Sequence, residues 1–90
     1  LHDLISLFLQ LIMELKTFIK NFEEAVEDVE VGSLTDQTRF KDLKSWDSLA
    51  ILTVTDTIDM EYGVILRKPD FESVDTLFEL SKIVQIRLTK

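Results

Sequence analysis

The sequence predicts an all-α fold, a small antiparallel bundle of three longer helices and one short helix. Three observations point there. Apolar residues recur at three- and four-residue spacing in three separate stretches. Only 2 Gly and 1 Pro occur among 90 residues, a Gly-poor composition that suits a helical module. The one strand-like run, Val64-Ile65-Leu66, has no second strand available to pair with it, so it reads as an extended, buried connector.

Residues 1–12 form a segment of their own. Eight of these twelve are Leu, Ile or Phe, and Asp3 is the only acidic residue. The stretch is shorter than the roughly 20 apolar residues needed to span a bilayer, and it lacks the basic start and small-residue cleavage site of a secretion signal. Met13 follows directly, so 1–12 is read as an upstream or artificially added extension, or as a helical arm, ahead of a domain over 13–90. From Met13 the pattern is amphipathic. Leu15, Phe18, Ile19, Phe22 and Val26 share one face, which predicts a first helix over about 13–28. Carried backwards, the stripe takes in Leu4, Phe8 and Leu11, so one helix of about 37 Å from position 4 to 28 is the other option. Its extra apolar turns would need another surface, expected from a neighbouring chain.

Residues 29–46 show no sustained period and hold Gly32, Ser33, Thr35, Asp36 and Thr38, the makings of a long loop. Leu34, Phe40, Leu43 and Trp46 are its expected anchors. A second helix is predicted over about 47–62, with Leu49, Leu52, Ile58 and Tyr62 as its buried stripe and Gly63 as its stop signal. Pro69 opens a short turn through Glu72. Asp75 or Thr76 caps a last helix with Leu77, Leu80, Ile83 and Val84 facing inward, and Ile86 as a further candidate.

Composition excludes much chemistry. Seventeen acidic residues against ten basic ones give a formal charge of −7, a poor match to nucleic acid and a good one to partners with basic docking surfaces. Without cysteine there is no thiol catalysis, Cys-based zinc site or disulfide. The single histidine, His2, stands at the edge of the sequence and is a poor recruit for a Ser-His-Asp site. Isolated Gly32 and Gly63 cannot build a phosphate-binding loop.

The informative segment is Phe40-Lys41-Asp42-Leu43-Lys44-Ser45-Trp46-Asp47-Ser48-Leu49. It puts Ser48 in the first turn of the second helix, directly after a capping aspartate. Free backbone N–H groups and the helix dipole there favour an anionic group, so a phosphodiester on the Ser48 oxygen would sit in a favourable field. Asp47 beside it could orient a metal or a basic group of a modifying enzyme. Asp-Ser also opens many ordinary helices, because Asp is a good cap. The tripeptide alone is therefore unspecific, and the long loop before it and the amphipathic helix after it carry the weight.

With Phe40, Asp42-Leu43 and Asp47-Ser48-Leu49 in that order, the chain resembles the acyl carrier protein family over about residues 13–84. The resemblance extends to helix order, to the short helix near 69–72 and to Asp75-Thr76-Leu77 at the start of the last helix. It implies an acyl-carrier-like four-helix bundle with a long loop between the first two helices. Ser48 would be the attachment point for 4′-phosphopantetheine, delivered from coenzyme A by a Mg²⁺-dependent phosphopantetheinyl transferase, with Asp47 and Leu49 flanking it. The arm ends in a thiol that holds acyl groups as thioesters and passes them between acyl-loading and acyl-accepting enzymes. The chain would be a carrier, not an enzyme, and cytoplasmic.

Departures from the commonest pattern lean toward a specialised carrier. No Gly follows Asp42-Leu43, Lys44-Ser45-Trp46 lengthens the approach to Asp47, and Ala50 and Thr53 occupy positions that are often acidic. An aminoacyl or peptidyl carrier, including a D-alanyl carrier, and a non-carrier helical adaptor stay open as alternatives. An apolar cleft for cargo is expected between the second and short third helices, lined by Ile51, Leu52, Ile58, Leu66 and Phe71. Trp46 reads as a packing anchor, or as a wall beside Ser48. Phe8, Phe18, Phe22, Phe71 and Phe78 read as packing residues. The Glu23, Glu24, Glu27, Asp28 and Glu30 cluster reads as a solvated helix face, its spacing matching no calcium loop.

Overall fold

The computed structural model describes the backbone of residues 2–88 and the side chains of residues 14–88. In chain order the helices are α1 (His2–Ala25), α2 (Ser48–Tyr62), α3 (Lys68–Glu72) and α4 (Leu77–Leu88), with one 3-10 turn, Phe40–Asp42, between α1 and α2. Among the described residues there is no strand, and Arg39 and Thr76 form the one antiparallel β-bridge. The fold is mostly helical and compact.

Helix α1 passes through Met13 without interruption, in keeping with the absence of Gly and Pro from its length. The expected burial of Leu4, Phe8 and Leu11 on a neighbouring chain lies outside the described side chains. At its other end α1 stops at Ala25, short of position 28, and the chain turns through Asp28 at φ 62°. Aspartate tolerates that left-handed conformation better than most residues.

The core is built where α1 meets α2 and α4. Phe18, Phe22 and Val26 of α1 are buried against Ala50, Val54 and Ile58 of α2 and Leu77, Leu80 and Val84 of α4. The α2 stripe corrects the sequence reading. Residues 50, 54 and 58 face inward at four-residue spacing, while Leu49 and Leu52 are 56% and 66% exposed. The first half of α2 is apolar on every side, so periodicity alone could not choose its inner face. Phe78 and Ile86 of α4 are likewise exposed, whereas Ile83 is half-buried. In the connector, Val64 and Leu66 are buried and Ile65 is not, an extended alternation.

Residues 26–47 are stitched to the helices at three levels. First, the Glu23 carboxylate, 2% exposed, accepts the backbone N–H groups of Gly32 and Leu34, both at 2.9 Å. Glu23 is thus no part of a solvated face. Second, the carbonyls of Asp36 and Thr38 accept the N–H groups of Phe78 and Leu77 at 2.9 and 3.1 Å, satisfying donors at the start of α4. Third, Phe40 is fully buried and packs edge-on against Phe22, Trp46 and Phe71, with ring centroids 5.8, 5.0 and 6.4 Å away.

The last two helices are locked by polar contacts. Thr76 and Glu79 form a reciprocal capping box on α4: Glu79 Oε1 accepts from the Thr76 N–H at 3.0 Å, and Thr76 Oγ1 accepts from the Glu79 N–H at 3.2 Å. Asp70 accepts the Arg67 N–H at 2.8 Å and pairs through both oxygens with the Arg87 guanidinium, which also donates to the Ile65 carbonyl at 3.2 Å. The Arg87 hydrogen bonds hold the Asp70 carboxyl below its usual range.

Two outcomes follow from this packing. Phe40→Ala should destabilise the domain by about 3–5 kcal/mol, read from urea unfolding, because a fully buried ring leaves a cavity at the aromatic junction. Asp70 has a depressed folded pKa, so its stabilising contribution is complete above the ordinary carboxylate value of about 4 and is lost as pH falls through the folded value. The thermal midpoint of Asp70→Asn should therefore fall less steeply than that of the unaltered chain as pH is lowered through that window.

Candidate functional site

The segment that the sequence singled out opens α2. Asp47 is the N-cap, in extended conformation, and its Oδ1 accepts the Ala50 N–H at 2.9 Å. Ser48 is the first helical residue and Leu49 the second, both exposed. Sequence reasoning thus placed all three residues of the motif in one turn, and the structure brings them together there. The reason is local. An Asp at the cap satisfies one orphan donor, and Ser tolerates the first helical position.

Among the described residues no side chain hydrogen-bonds to the Ser48 hydroxyl. It therefore has no partner to withdraw its proton, and Asp47 has one oxygen committed to the cap. The hydroxyl is suited to being modified by another protein rather than to attacking unaided. The N–H groups of Ser48 and Leu49 belong to the first turn, which lacks intrahelical acceptors, so an anionic substituent on Ser48 meets donors and the positive end of the helix dipole. Among the described residues no cluster of three or more His, Asp or Glu side chains is placed to hold a metal ion.

Trp46 directly precedes this turn. It stacks on Phe22 with centroids 5.9 Å apart and lies 5.7 Å from Phe71, so it packs the loop against α1 and α3. Phe40 and Trp46 together fix the height at which the chain enters α2.

Concavities open on both sides of α2 among the described residues. A groove of about 500 Å³ lies beside Ser48, between the end of α1 and the first turns of α2; Glu24, Glu27, Asp28, Asp47, Leu49 and Thr53 are on its walls. Sequence reasoning missed it, because residues 24–28 and 47–53 are distant in the chain. An apolar cavity of about 450 Å³ lies between α1, the end of α2 and α4, with Leu15, Phe18, Tyr62, Phe78, Val84 and Leu88 around it. Tyr62 is 14 positions from Ser48, about 21 Å along α2. The cleft expected between α2 and α3 is differently made: Ile58, Leu66 and Phe71 are buried in the core, and Leu52 faces outward.

Glu23 is the other residue that the sequence reading missed as a structural element. Its position was a usable signal, since it lies four residues after Ile19 and three before Val26, on the inner face of α1.

No family model, curated protein or solved structure matches this chain. Among the described residues no helix is long and apolar enough to cross a membrane.

The capping geometry carries its own test. Asp47→Ala should cost about 0.5–2 kcal/mol in urea unfolding, whereas Asp47→Asn, which keeps an acceptor, should cost a fraction of that.

Proposed function

We propose that this chain is an acyl carrier domain and that Ser48 carries 4′-phosphopantetheine. The observation that carries the reading is the exposed Ser48 hydroxyl, without a side-chain partner among the described residues, at the opening of an Asp-capped helix. In the modification, the Ser48 oxygen bonds to the phosphorus of coenzyme A that bears the pantetheine. Adenosine 3′,5′-bisphosphate leaves, and the hydroxyl proton passes to the transferase. The backbone N–H groups of Ser48 and Leu49 are the chain's own contribution to holding the anionic phosphodiester. The attached group supplies a thiol, which a cysteine-free chain otherwise lacks, for holding acyl groups as thioesters.

The carrier reading includes an antiparallel arrangement of the longer helices. It is supported by the order of contacts: Ala25 and Ala50 share the groove at one end, and the tilted rings of Phe18 and Tyr62 lie 6.0 Å apart at the other. In this reading the chain has no catalysis of its own. It works in the cytoplasm, where coenzyme A is used, and exchanges cargo with loading and accepting enzymes. The departures noted in the sequence make it a specialised discrete carrier.

The experiment is direct. The purified chain is incubated with coenzyme A, Mg²⁺ and a broad-specificity phosphopantetheinyl transferase, and its intact mass is measured. A gain of one phosphopantetheine is expected on the unaltered chain and none on Ser48→Ala. No gain on the former, or a gain that persists in the latter, overturns the proposal.

A further inference from the structure

We infer that a basic protein partner docks on the α1 side of Ser48, placing Lys or Arg side chains in the groove between the end of α1 and the first turns of α2, with Leu49 as the apolar anchor. The inference rests on Ser48 being the attachment residue.

Helix α2 supplies no charge near Ser48. Its first turn has no acidic residue, and Asp56 is the first along it, about 12 Å from Ser48. The nearby carboxylates come instead from a different element. Glu24 in the last turn of α1 and Glu27 and Asp28 in the turn after it line the groove together with Asp47, and among the described residues no Lys or Arg lines it. Glu24, Glu27 and Asp28 are exposed and take part in none of the ion pairs among the described residues.

Carboxylates of one sign lining one concavity focus a negative field at its mouth. An anionic occupant is repelled there and a cationic one is steered in. Leu49, on the wall of the groove, is 56% exposed, and Leu52 one turn further along α2 is 66% exposed, so two large apolar side chains are mostly open to solvent. An apolar centre with a charged flank is the anatomy of a protein interface. The partner therefore presents basic side chains next to an apolar socket. Charge complementarity places its footprint on the turn that carries Ser48, not along the distal part of α2, where Asp56, Asp59 and Glu61 stand.

The test measures initial rates of phosphopantetheine transfer by the broad-specificity transferase at low and high ionic strength. The chains compared are the unaltered one, a Glu24→Gln/Glu27→Gln/Asp28→Asn variant and an Asp56→Asn/Asp59→Asn/Glu61→Gln variant. Neutralising the groove should lower kcat/KM about tenfold at low salt, mainly through KM, and flatten the salt dependence. The distal variant should stay within about twofold of the unaltered chain. Glu24→Gln/Glu27→Gln, which leaves the Asp28 turn untouched, should show a smaller loss in the same direction, and circular dichroism checks that each variant is folded. Equal rates for the groove variant and the unaltered chain, or a larger loss in the distal variant, overturn the docking site while leaving Ser48 as the attachment residue. No transfer to the unaltered chain removes both.

Discussion

The structure depends on one buried ring. Phe40 comes from the connection between α1 and α2, yet it is fully enclosed and meets aromatic side chains from α1, from the loop and from α3. Edge-to-face contacts of this kind add to the area that each ring removes from water. Because Phe40 is held, Trp46 six residues on is stacked against Phe22, and the chain leaves that contact already positioned to start α2. The exposure of Ser48 is a consequence of this anchoring. A loop of this length without an apolar pin would present the same serine at no defined height.

The polar contacts work with that pin rather than in place of it. Glu23 is a carboxylate within an otherwise apolar face, and its burial is tolerable because one oxygen accepts two backbone N–H groups that would otherwise be orphaned. It fastens the first part of the loop as Phe40 fastens the last. Asp36 and Thr38 serve the middle by giving their carbonyls to the first turn of α4. The start of α4 receives acceptors from the loop, while α2 takes its cap from Asp47 at the loop's end. The loop is thus as much a set of caps as a connection, which suits a domain whose proposed role is to present one residue to several partners.

Element type and order were legible in the sequence because each depends on local signals. The Gly63 stop and the Asp47 cap are read within four residues, and so is the cap of α4, for which the sequence offered Asp75 or Thr76 and the structure uses Thr76. The motif at 47–49 was legible for the same reason. The inner face of α2 was not, since Leu49, Ala50, Ile51, Leu52 and Val54 are all apolar and offer several stripes. Small Ala50 faces α1 and larger Leu49 and Leu52 face out. That choice follows from how closely two helices approach, which no periodicity contains. Glu23 failed in the opposite sense: acidic neighbours on both sides of Val26 suggested a wet face, and its partners at 32 and 34 lie in another element.

The sequence by itself determined a helical domain, acidic and free of cysteine, with a capped serine at the start of its second helix. Those properties follow from composition and from contacts within a turn. Tertiary structure alone decided which carboxylate is buried, which leucines of α2 stay exposed, and that Glu24, Glu27 and Asp28 join Asp47 around one groove. The physical reason is that burial and electrostatic field are properties of surfaces, and this surface is assembled from segments some twenty residues apart along the chain.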